Sequence, residues 1–208
     1  FKTATIDVFD GKFAPTTVPG GFRDPNLPAG YAPFNIWPVA GKLYVLYAKQ
    51  DSTKTVDVAG AGNGIVNVFD FNGNLLNRLI TNDVLNSPWG IALAPANWGA
   101  FPGALLIGNF GDGTINAFDV NTGKLQGTLQ DASGSKIVLT GLWAILFGNG
   151  PRSADPGTLY FVSGVPTGST ARRGILGTIQ AAPAVSAVAN AASGETKAIT
   201  PGEIVVVQ

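Results

Sequence analysis

The chain of 208 residues contains no histidine, cysteine or methionine, and only 12% of its residues are charged. Without cysteine it can form no disulfide, no thiolate zinc site and no cysteine nucleophile. Without histidine it has no Ser-His-Asp triad and no imidazole metal ligand. The 13 basic and 13 acidic side chains cancel. We therefore expect no nucleic-acid partner, because such partners require clustered Lys and Arg.

Long apolar segments are missing as well. No apolar run approaches the ~20 residues of a membrane-spanning helix, so we expect no membrane span. The hydrophobic content of 45% is nevertheless high enough for a substantial core. The 28 glycines and 14 prolines interrupt nearly every window with helical periodicity. This composition favours many short strands joined by turns.

A pattern of short apolar segments recurs along the chain. Segments 6–10, 66–70 and 115–119 alternate apolar and polar residues, as strands with one buried face do. Each segment ends in an Asp that we interpret as accepting backbone N–H bonds in the following turn: Asp10, Asp70 and Asp119. Segments 43–47, 105–109 and 159–163 form a second set. A third set begins at aromatic residues about 55 positions apart: Phe34, Trp89 and Trp143.

Four short strands per repeat are typical of a β-propeller blade. We therefore predict an all-β fold, with a partial β-propeller of four-stranded antiparallel blades in residues 1–180. Whole blades are predicted at 33–80 and 86–130, two strands of a blade at 1–32, and most of another at 140–180. This makes about three and a half blades, so we expect the N-terminal blades to lie outside this chain. Residues 181–208 are predicted to be a linker and the truncated start of a C-terminal β domain.

Several non-repeating segments carry a family resemblance. They resemble a family of uncharacterised exported bacterial β-propellers at residues 22–36, 47–51, 57–64, 85–90 and 108–116. Residues 88–91 (Pro-Trp-Gly-Ile) more distantly resemble NHL-type propellers and the calcium-dependent lactonase and phosphotriesterase-like superfamily. Residues 190–204 resemble the start of a β-sandwich domain in secreted proteins of Acidobacteria. The resemblance implies a propeller fold and a secreted or cell-surface location, although the chain shows no signal peptide.

Three aromatic residues form the candidate ligand-binding site. Phe34, Trp89 and Trp143 share one register at the start of the predicted innermost strands. Such strands line the central channel of a propeller, so the rings could form a collar that stacks on a sugar or another flat ligand. The alternative is that the rings pack between neighbouring blades as core.

Three asparagines near the same rim are candidate calcium ligands: Asn35, Asn86 and Asn109. Calcium takes six to eight oxygen ligands and needs no histidine. In the lactonase-like superfamily such an ion polarises the substrate as a Lewis acid. The ligand set of that superfamily includes a glutamate, whereas this sequence has Glu only at 195 and 203. Turn Asn side chains also commonly bond the backbone instead. Calcium is thus the candidate cofactor, and no cofactor is certain.

These features lead to one functional prediction and two alternatives. We predict a non-catalytic exported binding or scaffolding module for a glycan or protein ligand. The first alternative is a calcium-dependent lactonase- or esterase-like hydrolase with the metal at the central channel. The second is an architectural surface protein in which the propeller spaces other domains. Fold class does not decide among them, because propellers host binding and catalysis alike.

Overall fold

The computed structural model describes residues 1–81, 84–150, 154–167, 171–181, 187–189 and 196–198. These ranges are all-β and contain no helix, so none of their segments is a helix able to cross a membrane. Their strands are β1 (Val8–Phe9), β2 (Pro15–Thr16), β3 (Tyr31–Val39), β4 (Lys42–Lys49), β5 (Gly64–Phe69), β6 (Leu75–Ile80), β7 (Pro88–Leu93), β8 (Leu105–Asn109), β9 (Ile115–Phe118), β10 (Leu125–Thr128), β11 (Leu142–Phe147), β12 (Thr158–Thr167), β13 (Ala171–Gln180), β14 (Ala187–Ala189) and β15 (Thr196–Ala198).

Three of the sheets follow one another along the chain. Sheet 1 has the order β3-β4-β5-β6, sheet 2 the order β7-β8-β9-β10, and sheet 3 the order β11-β12-β13. The pairs β1-β2 and β14-β15 form separate two-stranded sheets. Every pairing between these strands is antiparallel, and none of the described sheets closes on itself. The predictions of an all-β fold and of four-stranded antiparallel sheets are confirmed, whereas the domain boundary after residue 180 stays a prediction.

The turn after the third strand of sheets 1 and 2 is built around an aspartate. Asp70 Oδ1 accepts the N–H groups of Asn72 and Asn74 at 2.9 and 2.8 Å. In sheet 2, Asp119 Oδ1 accepts two backbone N–H groups at 3.0 and 2.8 Å. The hydrogen bond from the Asn74 side chain to Asp70 lowers the pKa of that carboxyl. The interpretation of these aspartates as turn residues is confirmed.

The sheets stack face to face through alternating side chains. Tyr44 and Leu46 of β4 share one buried cluster with Leu105 and Ile107 of β8, which joins sheet 1 to sheet 2. Leu106, on the opposite side of β8, belongs to a second cluster that joins sheet 2 to sheet 3. Because side chains alternate along a strand, each central strand contributes to the core on both sides. The continuous apolar runs of these strands follow from this double burial.

We call the side of each sheet that meets the next sheet along the chain its forward face, and the other side its rear face. The rear face of sheet 1 contains Val45 and Tyr47, which pack on the N-terminal segment, including Phe22 and Leu27. The rear face of sheet 3 contains Leu159, which packs in the cluster shared with sheet 2. The same alternation thus runs through all three sheets.

Candidate ligand-binding site

The three aromatic residues singled out in the sequence lie together. Phe34 of β3 contacts Trp89 of β7 edge to face, with ring centroids 4.7 Å apart and planes at 89°. Trp89 in turn contacts Trp143 of β11 at 4.9 Å and 87°. Each such pair contributes about 0.5–1.5 kcal/mol beyond the burial of apolar area. The rings therefore form one contiguous aromatic cluster that spans sheets 1, 2 and 3.

Each of these three rings sits at an irregularity in the first strand of its sheet. The pairing of β3 with β4 shifts register between Pro33 and Asn35, on either side of Phe34. The corresponding shifts occur between Pro88 and Gly90 in β7, and between Leu142 and Ile145 in β11. An irregularity of this kind adds a residue to one strand and redirects its side chain. The register shifts thus aim three aromatic side chains at one place.

Two further phenylalanines complete the cluster. Phe110, in the loop between β8 and β9, lies 4.8 Å from Trp143 and 6.2 Å from Phe34, between ring centroids. Phe1 lies 5.3 Å from Phe34. Sequence reasoning missed both. The positions equivalent to Phe110 in the repeat are Ala48 and Gly164, so no aromatic residue recurs there. No signal in the repeat points to them.

The first strands approach one another closely at the cluster. Asn35 Nδ2 donates to the Trp89 carbonyl oxygen at 2.7 Å, which ties β3 to β7. A Cβ at Gly90 would lie 3.1 Å from the Trp143 carbonyl oxygen and from the Ile145 side chain. A glycine at position 90 therefore allows β7 to approach β11 without displacing either group.

The cluster is half-buried rather than sealed. Trp143 is 37% exposed and is the most exposed of the five rings, while the other four are partly covered. The rings pack between sheets, as the alternative reading predicts, and they also keep surface open to solvent; their role in ligand binding stays a prediction. This geometry allows a flat apolar ligand surface to stack on Trp143.

The three candidate metal ligands are held in hydrogen bonds to the backbone. The Oδ1 atom of Asn35 accepts the Ile36 N–H at 2.8 Å, and that of Asn86 accepts the Gly60 N–H at 2.7 Å. Asn109 is fully buried, and its Oδ1 accepts the Asn86 N–H at 3.1 Å. The structure therefore brings Asn86 and Asn109 together, whereas Asn35 bonds to β7 at Trp89.

Among the residues with a described position, no group of three or more His, Cys, Asp or Glu side chains could hold a metal ion. One of these asparagines is hydrogen-bonded to an acidic residue: Asp112 Oδ2 accepts from Asn86 Nδ2 at 3.1 Å. Asp112 Oδ1 also accepts the backbone N–H of Thr114. These bonds give the side chains a role in shaping the loop, and calcium binding stays a prediction.

A buried polar cluster on the rear face of sheet 1 had no signal in the sequence. Asp24 Oδ2 accepts from Arg78 Nη2 at 2.5 Å, from Arg78 Nε at 3.0 Å and from Asn67 Nδ2 at 2.9 Å. The Asp24 side chain is almost wholly buried. Burial alone raises the pKa of Asp24, but the hydrogen bonds from Arg78, Asn67 and the Asn26 N–H outweigh it, so the pKa lies below 3.8. Burial raises the pKa of the neighbouring Tyr47 to about 12.

Comparison with known proteins finds three relatives, all uncharacterized proteins of Acanthamoeba polyphaga mimivirus. Protein R648 is 35% identical over 170 residues, which are 79% of this chain and 41% of the relative. Protein L690 is 39% identical over 163 residues, 75% of this chain and 41% of the relative. Protein R640 is 32% identical over 167 residues, 78% of this chain and 31% of the relative. The chain thus spans less than half the length of each, and no family model matches it.

These relatives correct the family resemblance. The assignment of this chain to a family of exported bacterial β-propellers is wrong, because the relatives found are viral and uncharacterised. Short loop segments and a Pro-Trp-Gly-Ile motif at 88–91 are compatible with many β-sheet proteins, so they did not identify the lineage. The expectation of a secreted or cell-surface location depended on that resemblance and stays a prediction.

Proposed function

We propose that the chain is a binding module whose aromatic cluster binds a glycan. In this proposal, sheets 1, 2 and 3 fan around a shared axis as blades of a partial β-propeller. Two features support the fan. The first strands β3, β7 and β11 are neighbours in space, and the sheets stack in chain order. Consecutive antiparallel sheets whose first strands lie side by side are typical of propellers.

One observation carries the proposed binding site: three successive first strands each place an aromatic residue at a register shift, and the three rings meet. Register shifts also occur between β5 and β6 and between β9 and β10, but among the described strands only in the three first strands do they fall at the aromatic residue of the repeat. Strand irregularities are over-represented next to functional sites because they redirect side chains. This favours a ligand-binding role for the aromatic cluster.

The chemistry of the cluster favours binding over catalysis. Its side chains are aromatic rings, and its polar neighbour Asn35, which bonds to the Trp89 carbonyl, carries an amide, which donates and accepts hydrogen bonds but does not exchange protons near neutral pH. Half-exposed rings beside an amide match a sugar, whose C–H faces stack on aromatic surfaces and whose hydroxyls bond to amides. We therefore place a glycan, rather than a protein segment, on the cluster.

The test is a glycan array followed by calorimetry with Trp143→Ala. We expect the variant to bind its glycan about tenfold more weakly, since a stacking contact worth about 1.4 kcal/mol corresponds to that factor. The matched control is Trp37→Ala, because Trp37 is 43% exposed on β3 and makes no ring contact with the cluster among the described residues.

Circular dichroism must show that both variants stay folded. Equal binding by Trp143→Ala and the unchanged protein would contradict the aromatic site. If the protein binds no glycan on the array, the proposal that its ligand is a glycan is contradicted.

A further inference from the structure

Phe110 reaches the aromatic cluster from the loop between β8 and β9 instead of from a first strand. Its backbone N–H donates to the Ser87 carbonyl oxygen at 3.0 Å. At the equivalent place in sheet 3, the Gly164 N–H donates to the Gly141 carbonyl oxygen at 2.8 Å. Because the same backbone contact forms with a glycine, the turn does not require a ring at position 110. The Phe110 ring therefore has a role other than building the turn.

The loop that carries Phe110 is held by one residue, Asn86. The Nδ2 atom of Asn86 donates to Asp112 Oδ2 at 3.1 Å, and its carbonyl oxygen accepts the Gly111 N–H at 3.1 Å. Its Oδ1 atom accepts the Gly60 N–H at 2.7 Å, from the loop between β4 and β5. Asn86 thus joins the loop of sheet 1 to the loop of sheet 2, next to Phe110.

The junction at Asn86 is tightly packed and costs stability. A Cβ at Gly111 would lie 2.0 Å from Asn86 Oδ1, so the close approach of the loop requires a glycine. Ser87 is fully buried and has a φ of 47°, in the left-handed region that favours glycine. The Ser87 Oγ atom has no hydrogen-bond partner among the described residues. Backbone strain of this kind is concentrated at functional sites.

We propose that Phe110 is a second ligand-contacting ring beside Trp143, and that Asn86 is the positioning residue that holds it in place. This inference rests on the glycan-binding function proposed above. Phe110 is partly exposed, and its ring plane is inclined at 53° to that of Trp143, so the two rings form a corner that contacts a sugar on two sides. Both side-chain polar atoms of Asn86 bond to the protein, so Asn86 acts through the loop and not on the glycan.

Calorimetry with the oligosaccharide that binds most strongly on the array tests both roles. We expect Phe110→Ala to weaken binding about fivefold, within the range for one aromatic contact. Asn86→Asp sets a second carboxylate against Asp112, and because like charges repel, the loop moves and binding should weaken by a similar factor. The matched control is Asn77→Asp, which changes an exposed amide on the edge strand β6 and should leave binding unchanged.

A reciprocal exchange tests whether Asn86 acts through Asp112. In the double variant Asn86→Asp/Asp112→Asn, the hydrogen bond between the two positions forms again with donor and acceptor exchanged, and position 112 still accepts the Thr114 N–H. We expect this variant to bind within about twofold of the unchanged protein. Binding as weak as that of Asn86→Asp alone would overturn the role of this hydrogen bond.

A double-mutant cycle separates positioning from a general loss of stability. If Asn86 acts through Phe110, adding Asn86→Asp to Phe110→Ala should weaken binding no further. A further loss of the same size would overturn the positioning role. If Phe110→Ala binds as tightly as the unchanged protein while Trp143→Ala does not, the contact of Phe110 with the glycan is overturned and the proposed function stands.

Near-ultraviolet circular dichroism gives a readout that needs no glycan. Because Phe110 lies against Trp143, Asn86→Asp and Phe110→Ala should alter the aromatic signal in the same way, while the far-ultraviolet spectrum shows that both variants are folded. An aromatic signal that Asn86→Asp leaves unchanged overturns the positioning role. If the unchanged protein binds no glycan, the proposed function and the glycan contact of Phe110 fail together, whereas this spectrum still decides the role of Asn86.

Discussion

At the scale of single residues, the most consequential polar group is Asp24. It lies in the N-terminal segment and binds Arg78 of β6 and Asn67 of β5, across 54 and 43 positions of sequence. An almost fully buried carboxylate is costly unless hydrogen bonds and an opposite charge compensate it. Arg78 and Asn67 supply that compensation, so this cluster fastens the N-terminal segment to sheet 1.

We expect Asp24→Asn to lower the free energy of unfolding at pH 7 by about 1.5–3 kcal/mol, the usual range for hydrogen bonds to charged groups. The folded protein holds the pKa of Asp24 below its ordinary 3.8, so this carboxylate stabilises the fold above that pH. The stabilisation is lost as pH falls through the lowered pKa, because the unfolded state then binds the proton first. Urea denaturation of the variant and the unchanged protein measures the free energy of unfolding at pH 7 and at pH 3.

The control for Asp24 is Asp7→Asn, an exposed acid that should change stability little. The difference between Asp24→Asn and the unchanged protein should be smaller at pH 3 than at pH 7. A difference of the same size at both pH values would show that the charge of Asp24 does not stabilise the fold.

At the scale of strands, glycine decides how closely neighbouring side chains can pack within a sheet. Gly177 of β13 pairs with Phe161 of β12, and a Cβ at position 177 would lie 2.3 Å from Cζ of that ring. The Phe161 ring therefore lies over the backbone of β13, on the side that packs against sheet 2. Gly174, in the same strand, has no atom within 4 Å of the corresponding position.

We expect Gly177→Ala to lower the free energy of unfolding by about 1–3 kcal/mol, because the Phe161 ring must move from its packed position. Gly174→Ala is the matched control and should be neutral or slightly stabilising, since it only restricts the unfolded chain. Urea denaturation of both variants measures the difference. Equal stability of the two variants would contradict the packing of Phe161 on Gly177.

At the scale of the whole molecule, stability comes from the contacts between consecutive sheets. Sheet 2 lies in the middle and shares one buried cluster with sheet 1 and another with sheet 3. In a stack of repeats, each unit gains much of its stability from its neighbours. A change in the interior of sheet 2 should therefore affect the whole stack.

Phe118 of β9 is fully buried between sheets 1 and 2, and we expect Phe118→Ala to cost about 3–5 kcal/mol. Leu125→Ala, in the exposed strand β10 of the same sheet, should cost less than about 1 kcal/mol. Chemical denaturation, followed by tryptophan fluorescence, measures both. A loss of similar size in both variants would contradict the assignment of the core to the interface between sheets.

Local patterns in the sequence predicted much of the fold because they depend on neighbouring residues alone. The period-2 alternation in 66–70 and 115–119 marked strands β5 and β9, and Asp70 and Asp119 marked the turns that follow. The recurrence of these segments predicted sheets of four strands, as found at 33–80 and 86–130. The shared register of Phe34, Trp89 and Trp143 predicted that they lie in equivalent places.

The sequence by itself determined the strands, their turns and their repetition, since alternation and turn chemistry act over a few residues. Only the tertiary structure decided which faces meet, where the first strands shift register, and that Phe1 and Phe110 join the aromatic cluster. It also decided the pairing of Asp24 with Arg78. These features depend on atoms that are far apart in the chain, and a one-residue change of register is enough to redirect a side chain.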